Sequence, residues 1–217
     1  MIVEWLGTVP YRDALSRQRE YRDRVIAGDA PEALWLLEHP PVITTGRRGA
    51  GVDAEAVANA GFELVESERG GLATCHEPGQ LVGYVFRRCD SGVRALVCAL
   101  EAGIVAACAD MGVQAARREG YPGAWSPGGK LCAIGLHVRR GVSMHGFALN
   151  LVNDLRGFEL IVPCGLPGAG VSSVFREVGT SPTPIEAAPR VGDFVARALH
   201  KNVPACLTTV DDRRARE

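Results

Sequence analysis

Apolar side chains in residues 11–27 fall at 11, 14, 15, 21 and 25, close to a 3.6-residue period, and Pro10 stands just ahead as at a first helical turn. The pattern predicts a helix. A stronger stripe, Val93, Leu96, Val97, Leu100, Ile104, Cys108 and Met111, predicts a helix over 93–111 that must pack on a sheet or another helix. Positions 191, 194, 195, 198 and 199 predict another over 191–200. Strands are predicted at 33–37, where Pro40 and Pro41 stop regular structure, at 62–65 and at 80–86. Residues 131–138 and 144–152 read as two strands joined by Arg139-Arg140-Gly141, and a period of two puts His145, Phe147, Leu149 and Leu151 on one face. The glycine- and proline-rich stretches 69–79, 120–129 and 163–170 are predicted loops. Helices interspersed with hairpins, without repeat or linker, predict one α/β (α+β) domain around a mixed sheet. It spans 1–210, and the charged end 211–217 reads as a disordered tail.

At 217 residues a single domain buries roughly 70% of its unfolded surface, so the core needs neither disulfide nor structural metal. With 25 acidic and 24 basic side chains, and no basic cluster beyond pairs such as those at 47–48 and 139–140, the electrostatic footprint for nucleic acid is missing. Glu101 and Asp110 interrupt the most apolar stretch, so no membrane span is expected. Glu4 stands where a signal peptide would be basic, which predicts a cytoplasmic protein. The seven cysteines contain no Cys-x-x-Cys, against both a disulfide framework and a zinc ribbon, and are expected to be reduced and mostly buried. Only Lys130 and Lys201 among the basic residues are lysine, which makes each a candidate for work that needs a titratable amine.

Three glycine-rich segments each hold a reactive group: residues 69–80 with His76, Gly128-Gly129-Lys130, and Pro163-Cys164-Gly165. Cys164, between proline and glycine in a loop, can present a thiolate nucleophile, against the alternative of a buried structural thiol. Lys130 has the alternative of a solvated surface charge. His76 and His145 are candidate bases or hydrogen-bonded structural histidines. With His39 and Glu77 they form no metal-ligand spacing, so no metal is expected. Neither a Walker loop nor Gly-x-Gly-x-x-Gly is present, so no nucleotide cofactor is expected.

Taken in order, five stretches resemble one family. Residues 38–42 with Gly46-Arg47 resemble an EHPPV and GR pattern, residues 69–80 an RGGxxTxHGPGQ loop, and residues 130–135 KIAAIG. Residues 145–150 match HGFALN, and 161–165 match IxPCG. The family is that of the octanoyl (lipoyl) transferases, which move an octanoyl group from acyl carrier protein to a lysine of a lipoyl domain. The resemblance implies a fold like the catalytic domains of biotin and lipoate protein ligases. It implies that Cys164 carries the acyl group as a thioester and that Lys130 adjusts its ionisation. It further implies that Arg69, Gly70, Gly71, Leu72, Ala73, Thr74, Cys75 and His76, with Ala133, Ile134, Gly135, His145, Gly146, Phe147 and Ala148, line the acyl site. Ile134, Phe147 and Leu149 are candidate walls for the chain. Implied partners are octanoyl-acyl carrier protein as donor, with lipoyl domains of 2-oxoacid dehydrogenase E2 subunits and the glycine cleavage H protein as acceptors. No cofactor or metal is implied, and a monomer is expected. Glu77 stands where the family pattern has glycine, which puts a charge beside the acyl site. The competing readings are an ATP-dependent lipoate or biotin ligase of similar fold, and a non-catalytic acyl-chain or lipoyl-domain binding protein.

Overall fold

A computed structural model describes residues 1–49, 51–161 and 170–201. In chain order the elements are β1 (Ile2–Thr8), α1 (Tyr11–Ala27), β2 (Ala33–Glu38), β3 (Val42–Thr45), α2 (Ala54–Asn59), β4 (Glu63–Glu66), β5 (Thr74–His76), β6 (Gln80–Phe86), α3 (Val93–Asp110), β7 (Gly123–Ser126), β8 (Gly129–Arg139) and β9 (Val142–Asn150). A 3-10 turn (Arg156–Leu160), α4 (Val174–Val178) and α5 (Pro184–His200) follow.

Six strands form one mixed sheet in the order β1-β2-β6-β9-β8-β7, parallel between β1 and β2 and antiparallel elsewhere. Its central strand β6 is buried along its whole length and its side chains alternate between two cores. Leu81 and Val85 pack with Leu100 and Ile104 of α3 and Val191 and Val195 of α5. Val82, Tyr84 and Phe86 pack with Tyr11, Ala14, Leu15 and Val25 of α1. A smaller sheet, β4-β3-β5, carries its own cluster of Ile43, Val57, Ala73, Cys75 and Ile161. The predicted α/β architecture, a central mixed sheet flanked by helices, is what forms.

Several local expectations need correcting. The predicted loops 69–79 and 120–129 contain the short strands β5 and β7. β3 forms directly after the paired prolines, held by the register Val42↔Glu63 on one side and Val42↔His76 on the other. α5 starts at Pro184 rather than 191, because Thr183 and Glu186 form a capping box around a proline in the first turn. His145 does not share a face with Phe147, Leu149 and Leu151. Its φ of 59° breaks the alternation, and its N–H donates to Gln18 Oε1 of α1 at 2.9 Å. The β6–β9 register ends one residue away, at Tyr84↔Gly146. No helix among the described residues is long and apolar enough to cross a membrane. Residues 211–217, the predicted tail, lie outside the described residues, as does Cys206.

Candidate active site

β7 pairs with β8 only as far as Gly123↔Ala133, so one edge of β8 is left open beyond that point. The loop 69–71 takes it: Gly70 N donates to Leu136 O at 2.9 Å. Gly135 is needed for this approach, since a Cβ there would lie 2.9 Å from Gly70 O. Arg69 is fixed behind the loop, donating from Nε and Nη2 to Thr44 Oγ1 at 3.1 and 2.8 Å and from Nη2 to Thr44 O at 2.6 Å. Between this loop, β6, β8 and β9 lies a cavity of about 340 Å³, a size ordinary for small-molecule sites.

The cavity gathers residues far apart in sequence. Arg69, Gly70, Gly71, Leu72, Ala73, Thr74 and His76 line it, with Ala133, Ile134, Gly135, His145, Gly146, Phe147 and Ala148 opposite, and Lys130 as well. Cys75 is not in the wall. As the middle residue of β5 it points the other way, fully buried against the small-sheet core. Leu149 is likewise in the core under α3 and α5. Cys164 lies outside the described residues. The wall also contains Tyr11, Gln80, Val82, Tyr84 and Asn150, which are not among the site residues that the resemblance implies. Gln80, Tyr84 and Asn150 sit in or beside the quoted motifs. Tyr11 gave no signal, because it reads as part of the apolar stripe of α1.

One side of the cavity is an array of rings. His76 stacks on Tyr11 with centroids 5.8 Å apart, and His39 lies edge-on to both. His39 Nδ1 is 2.6 Å from Val9 O, and its Nε2 is 2.6 Å from Tyr84 Oη. A carbonyl only accepts, so His39 carries its proton on Nδ1 and the Tyr84 hydroxyl donates to Nε2. Burial holds all three histidines neutral: it depresses His39 to about 4, His145 to about 3, and His76 well below its usual value, the last with a contribution from His39. Burial likewise raises the Tyr84 phenol well above its ordinary value.

Beside the rings runs a chain of buried amides. Gln80 Oε1 is 2.8 Å from His76 Nδ1, and Gln80 Nε2 donates to Cys75 O at 3.1 Å and to Asn150 Oδ1 at 2.8 Å. Asn150 Nδ2 donates to Ser172 O at 3.0 Å. Asn153 Nδ2 donates to Asn150 Oδ1 at 3.2 Å and to Glu77 Oε1 at 3.0 Å. Glu77 therefore points away from the cavity. It is 5% exposed, absent from the cavity wall, and its Oε1 also accepts from Leu155 N at 3.0 Å.

Lys130 is half-buried, with Nζ 5.0 Å from the centroid of the Trp125 ring. Its backbone is bonded on both sides of Val171: Lys130 N donates to Gly170 O at 2.9 Å, and Ser172 N donates to Lys130 O at 3.0 Å. Burial raises the thiols of Cys75 and Cys132 and pushes Cys108 up to about 12, which disfavours the thiolate at all three. Among the described residues, no group of three or more His, Cys, Asp or Glu side chains could hold a metal ion.

Residues 10–195 match the lipoyl protein ligase A/B catalytic domain. The chain belongs to that family. Its relatives include an octanoyltransferase of Nitratidesulfovibrio vulgaris, 49% identical over 181 residues, which cover 80% of this chain and 83% of that one. Another is an octanoyltransferase of Acidothermus cellulolyticus, 43% identical over 206 residues, or 92% and 90% of the two chains. The fold is shared with solved ligases. An archaeal bipartite lipoate protein ligase from Thermoplasma acidophilum superposes with a TM-score of 0.70 at 17% identity, covering 93% of this chain and 82% of that chain. Biotin protein ligase from Aquifex aeolicus gives 0.53 at 9% identity, with coverages of 93% and 69%.

Proposed function

We propose that this member of the family is an acyltransferase that moves an octanoyl group from octanoyl-acyl carrier protein, through a thioester on Cys164, to a lysine of a lipoyl domain. The observation that carries the reading is the cavity. Leu72, Val82, Val97, Ile134, Phe147 and Phe158 give it an apolar lining, and Lys130 stands in the same wall. Each buried methylene of an acyl chain contributes about 0.8 kcal/mol, which such a lining supplies.

The chemistry needs no ATP. Attack of the Cys164 thiolate on the donor thioester exchanges one C–S bond for another, and the donor thiol leaves. Attack of the acceptor lysine then breaks the C–S bond of the acyl-enzyme and makes an amide, which is more stable. The Lys130 ammonium favours the thiolate. Its main chain is bonded to Gly170, which follows the Pro-Cys-Gly stretch closely in sequence. The high thiol pKa values of Cys75, Cys108 and Cys132 leave these three unsuited to carry the acyl group. Lipoyl domains of 2-oxoacid dehydrogenase E2 subunits and the glycine cleavage H protein are the proposed acceptors, and a cytoplasmic monomer the proposed form.

Intact-mass analysis after incubation with octanoyl-acyl carrier protein, without ATP, tests the reading. One octanoyl adduct is expected, mapped to Cys164 by peptide analysis and lost in Cys164→Ser, because serine without a strong base is a poor nucleophile. An adduct on another cysteine overturns the Cys164 assignment. Transfer to the lysine only when ATP and free octanoate are supplied would establish a ligase instead. Octanoyl binding with no adduct and no transfer would establish a binding protein.

A further inference from the structure

Part of the apolar cavity wall is a row of residues laid across neighbouring strands. Gly83 of β6 pairs with Phe147 of β9, and Phe147 pairs in turn with Ile134 of β8. The row stands on the face under α3 and α5. Leu81 and Val85, which flank Gly83 on that face, belong to the core there, as does Phe147, and Ile134 packs against it. Phe147 and Ile134 also line the cavity, together with Val93 and Val97 of α3, whereas Gly83 is absent from the wall.

Gly83 nevertheless decides where the aromatic ring lies. A Cβ built on Gly83 would stand 2.2 Å from both Cε1 and Cζ of Phe147 and 2.9 Å from its Cδ1, so the ring fills the space that a side chain at 83 would take. Gly83 is not among the glycines of positive φ, so what it provides is room rather than backbone freedom. The ring leans across β6, away from its other partner Ile134, and the cavity lies on the Ile134 side. Along the strands, Leu81, Val85 and Leu149 are fully buried, so the core offers the ring no second place.

We propose that Gly83 sets the length of acyl chain the cavity accepts, acting as a positioning residue through Phe147: the bare glycine seats the ring on β6 and keeps the apolar end of the cavity open to an octanoyl chain. This rests on the octanoyl-transfer reading and deepens it. A side chain at 83 has to expel the ring, and the void available to it is the cavity, which is then shortened. A smaller side chain at 147 does the reverse and lengthens it. Each methylene that gains or loses its place changes selectivity between neighbouring chain lengths by about fourfold.

Competition on the full-length protein tests this. Hexanoyl-, octanoyl- and decanoyl-acyl carrier protein are offered in equal amounts with a lipoyl domain, and the masses of the acylated lipoyl domain give product ratios that do not depend on how much enzyme is folded. Gly83→Ala is expected to lower the octanoyl-to-hexanoyl ratio about tenfold, and Phe147→Leu to raise the decanoyl-to-octanoyl ratio about fourfold or more. In the double variant the smaller side chain at 147 makes room for the added methyl, so the octanoyl-to-hexanoyl ratio should return to within about threefold of the unmutated value. Unchanged ratios in folded Gly83→Ala overturn the proposal, as does a double variant as restricted as Gly83→Ala, since the methyl would then act other than through the ring. Should Gly83→Ala fail to fold, Phe147→Leu decides, and an unchanged decanoyl-to-octanoyl ratio overturns the proposal. In each of these cases transfer by the unmutated protein leaves the octanoyl reading standing. Absence of any acyl transfer by the unmutated protein overturns that reading, and the proposal with it.

Discussion

The two faces of the six-stranded sheet are built on different terms. The face under α3 and α5 is aliphatic: Leu34, Leu36, Leu81, Leu100, Ile104, Leu149 and Val195 are almost wholly covered. Its buried charge, Glu101, is satisfied by Gly123 N at 3.0 Å and by Arg117 at 3.5 Å. The face under α1 mixes apolar side chains with Gln18, Arg22, His39, His76 and His145, and Arg69 lies nearby, bound only to uncharged oxygens. A buried polar group or charge costs stability unless it is hydrogen-bonded or paired, and burial holds the histidines in their neutral form. The contrast teaches that one face supplies the stability against which the other can hold histidines and an arginine at a cavity wall. Substitutions that act on one face and spare the other test that division.

The largest effect is expected at the cavity wall itself. Lys130→Ala removes the ammonium proposed to favour the Cys164 thiolate, and each unit of thiol pKa so restored is about tenfold less thiolate near neutral pH. Acylation should slow by about 10- to 100-fold with little change in melting temperature. The pH at which thiol alkylation levels off should rise, which pH-dependent alkylation measures. An unchanged alkylation profile would show that Lys130 does not act on the thiol. Next comes the opposite face. Ile104 is fully buried between α3, α5 and the sheet, so Ile104→Ala should cost about 2–5 kcal/mol in denaturant unfolding. Activity per folded molecule should be unchanged below the transition, and a loss of activity without loss of stability would contradict the division of labour.

How far this division was legible in the sequence depends on the length of each element. The sequence pattern marks the ends of α1 and β6 to the residue, and those of α3 to within one, because long amphipathic or apolar stretches carry their own period. β5 and β7, three and four residues long, have no period of their own and exist through their registers with β3 and β8. The positive φ of His145 is a tertiary event. The hydrogen bond from its N–H to Gln18, 127 positions away, competes with the strand's alternation, and nothing local announces it. The cavity-lining segments are legible because glycine-rich loops carrying unusual lysine and histidine stand out. The direction of the Glu77 side chain is hidden in the sequence for a related reason. His76, the residue before it, lines the cavity, but the partners of Glu77, Asn153 and Leu155, come from a distant loop.

The histidines of the α1 face predict how the whole molecule responds to acid. His39 at about 4 and His145 at about 3, with His76 also well below normal, stay neutral in the folded protein while their unfolded counterparts take up protons near pH 6.5. Below that pH the unfolded state binds more protons, so stability is fully present above about 6.5 and falls as pH is lowered toward 4. Each histidine contributes up to about 1.4 kcal/mol per pH unit. Denaturant titrations at pH 7, 6 and 5 measure the slope, and a flat profile would mean that these rings are protonated in the native state.

A smaller effect is expected where the two regions meet. Glu77→Gly restores the residue of the family pattern but leaves Leu155 N without its acceptor and Asn153 Nδ2 with one partner fewer, in buried surroundings. The expected cost is about 1–3 kcal/mol, with no widening of chain-length preference, because Glu77 is not in the cavity wall. Faster transfer of longer acyl chains by this variant would show that the carboxylate does reach the site.

The smallest effect belongs to the ion pair between α1 and the residue before the cavity loop. Glu68 accepts from Arg19 Nε and Nη2 at 2.9 Å each, a two-pronged contact that depresses the Glu68 carboxyl to about 2. The Arg19 side chain is 51% exposed and that of Glu68 24%, so solvent screens the pair, and its contribution is on the order of 0.5–1 kcal/mol. A depressed carboxyl stabilises the folded state above its unfolded pKa near 4.5, and that stabilisation disappears as pH falls toward 2. The direction is the same as for the histidines but the window is lower. Glu68→Gln should therefore lower stability slightly at pH 7, lose that difference below pH 3, and leave the slope between pH 6.5 and 5 almost untouched. If the variant flattened that slope instead, the acid response would belong to the surface pair and not to the buried rings.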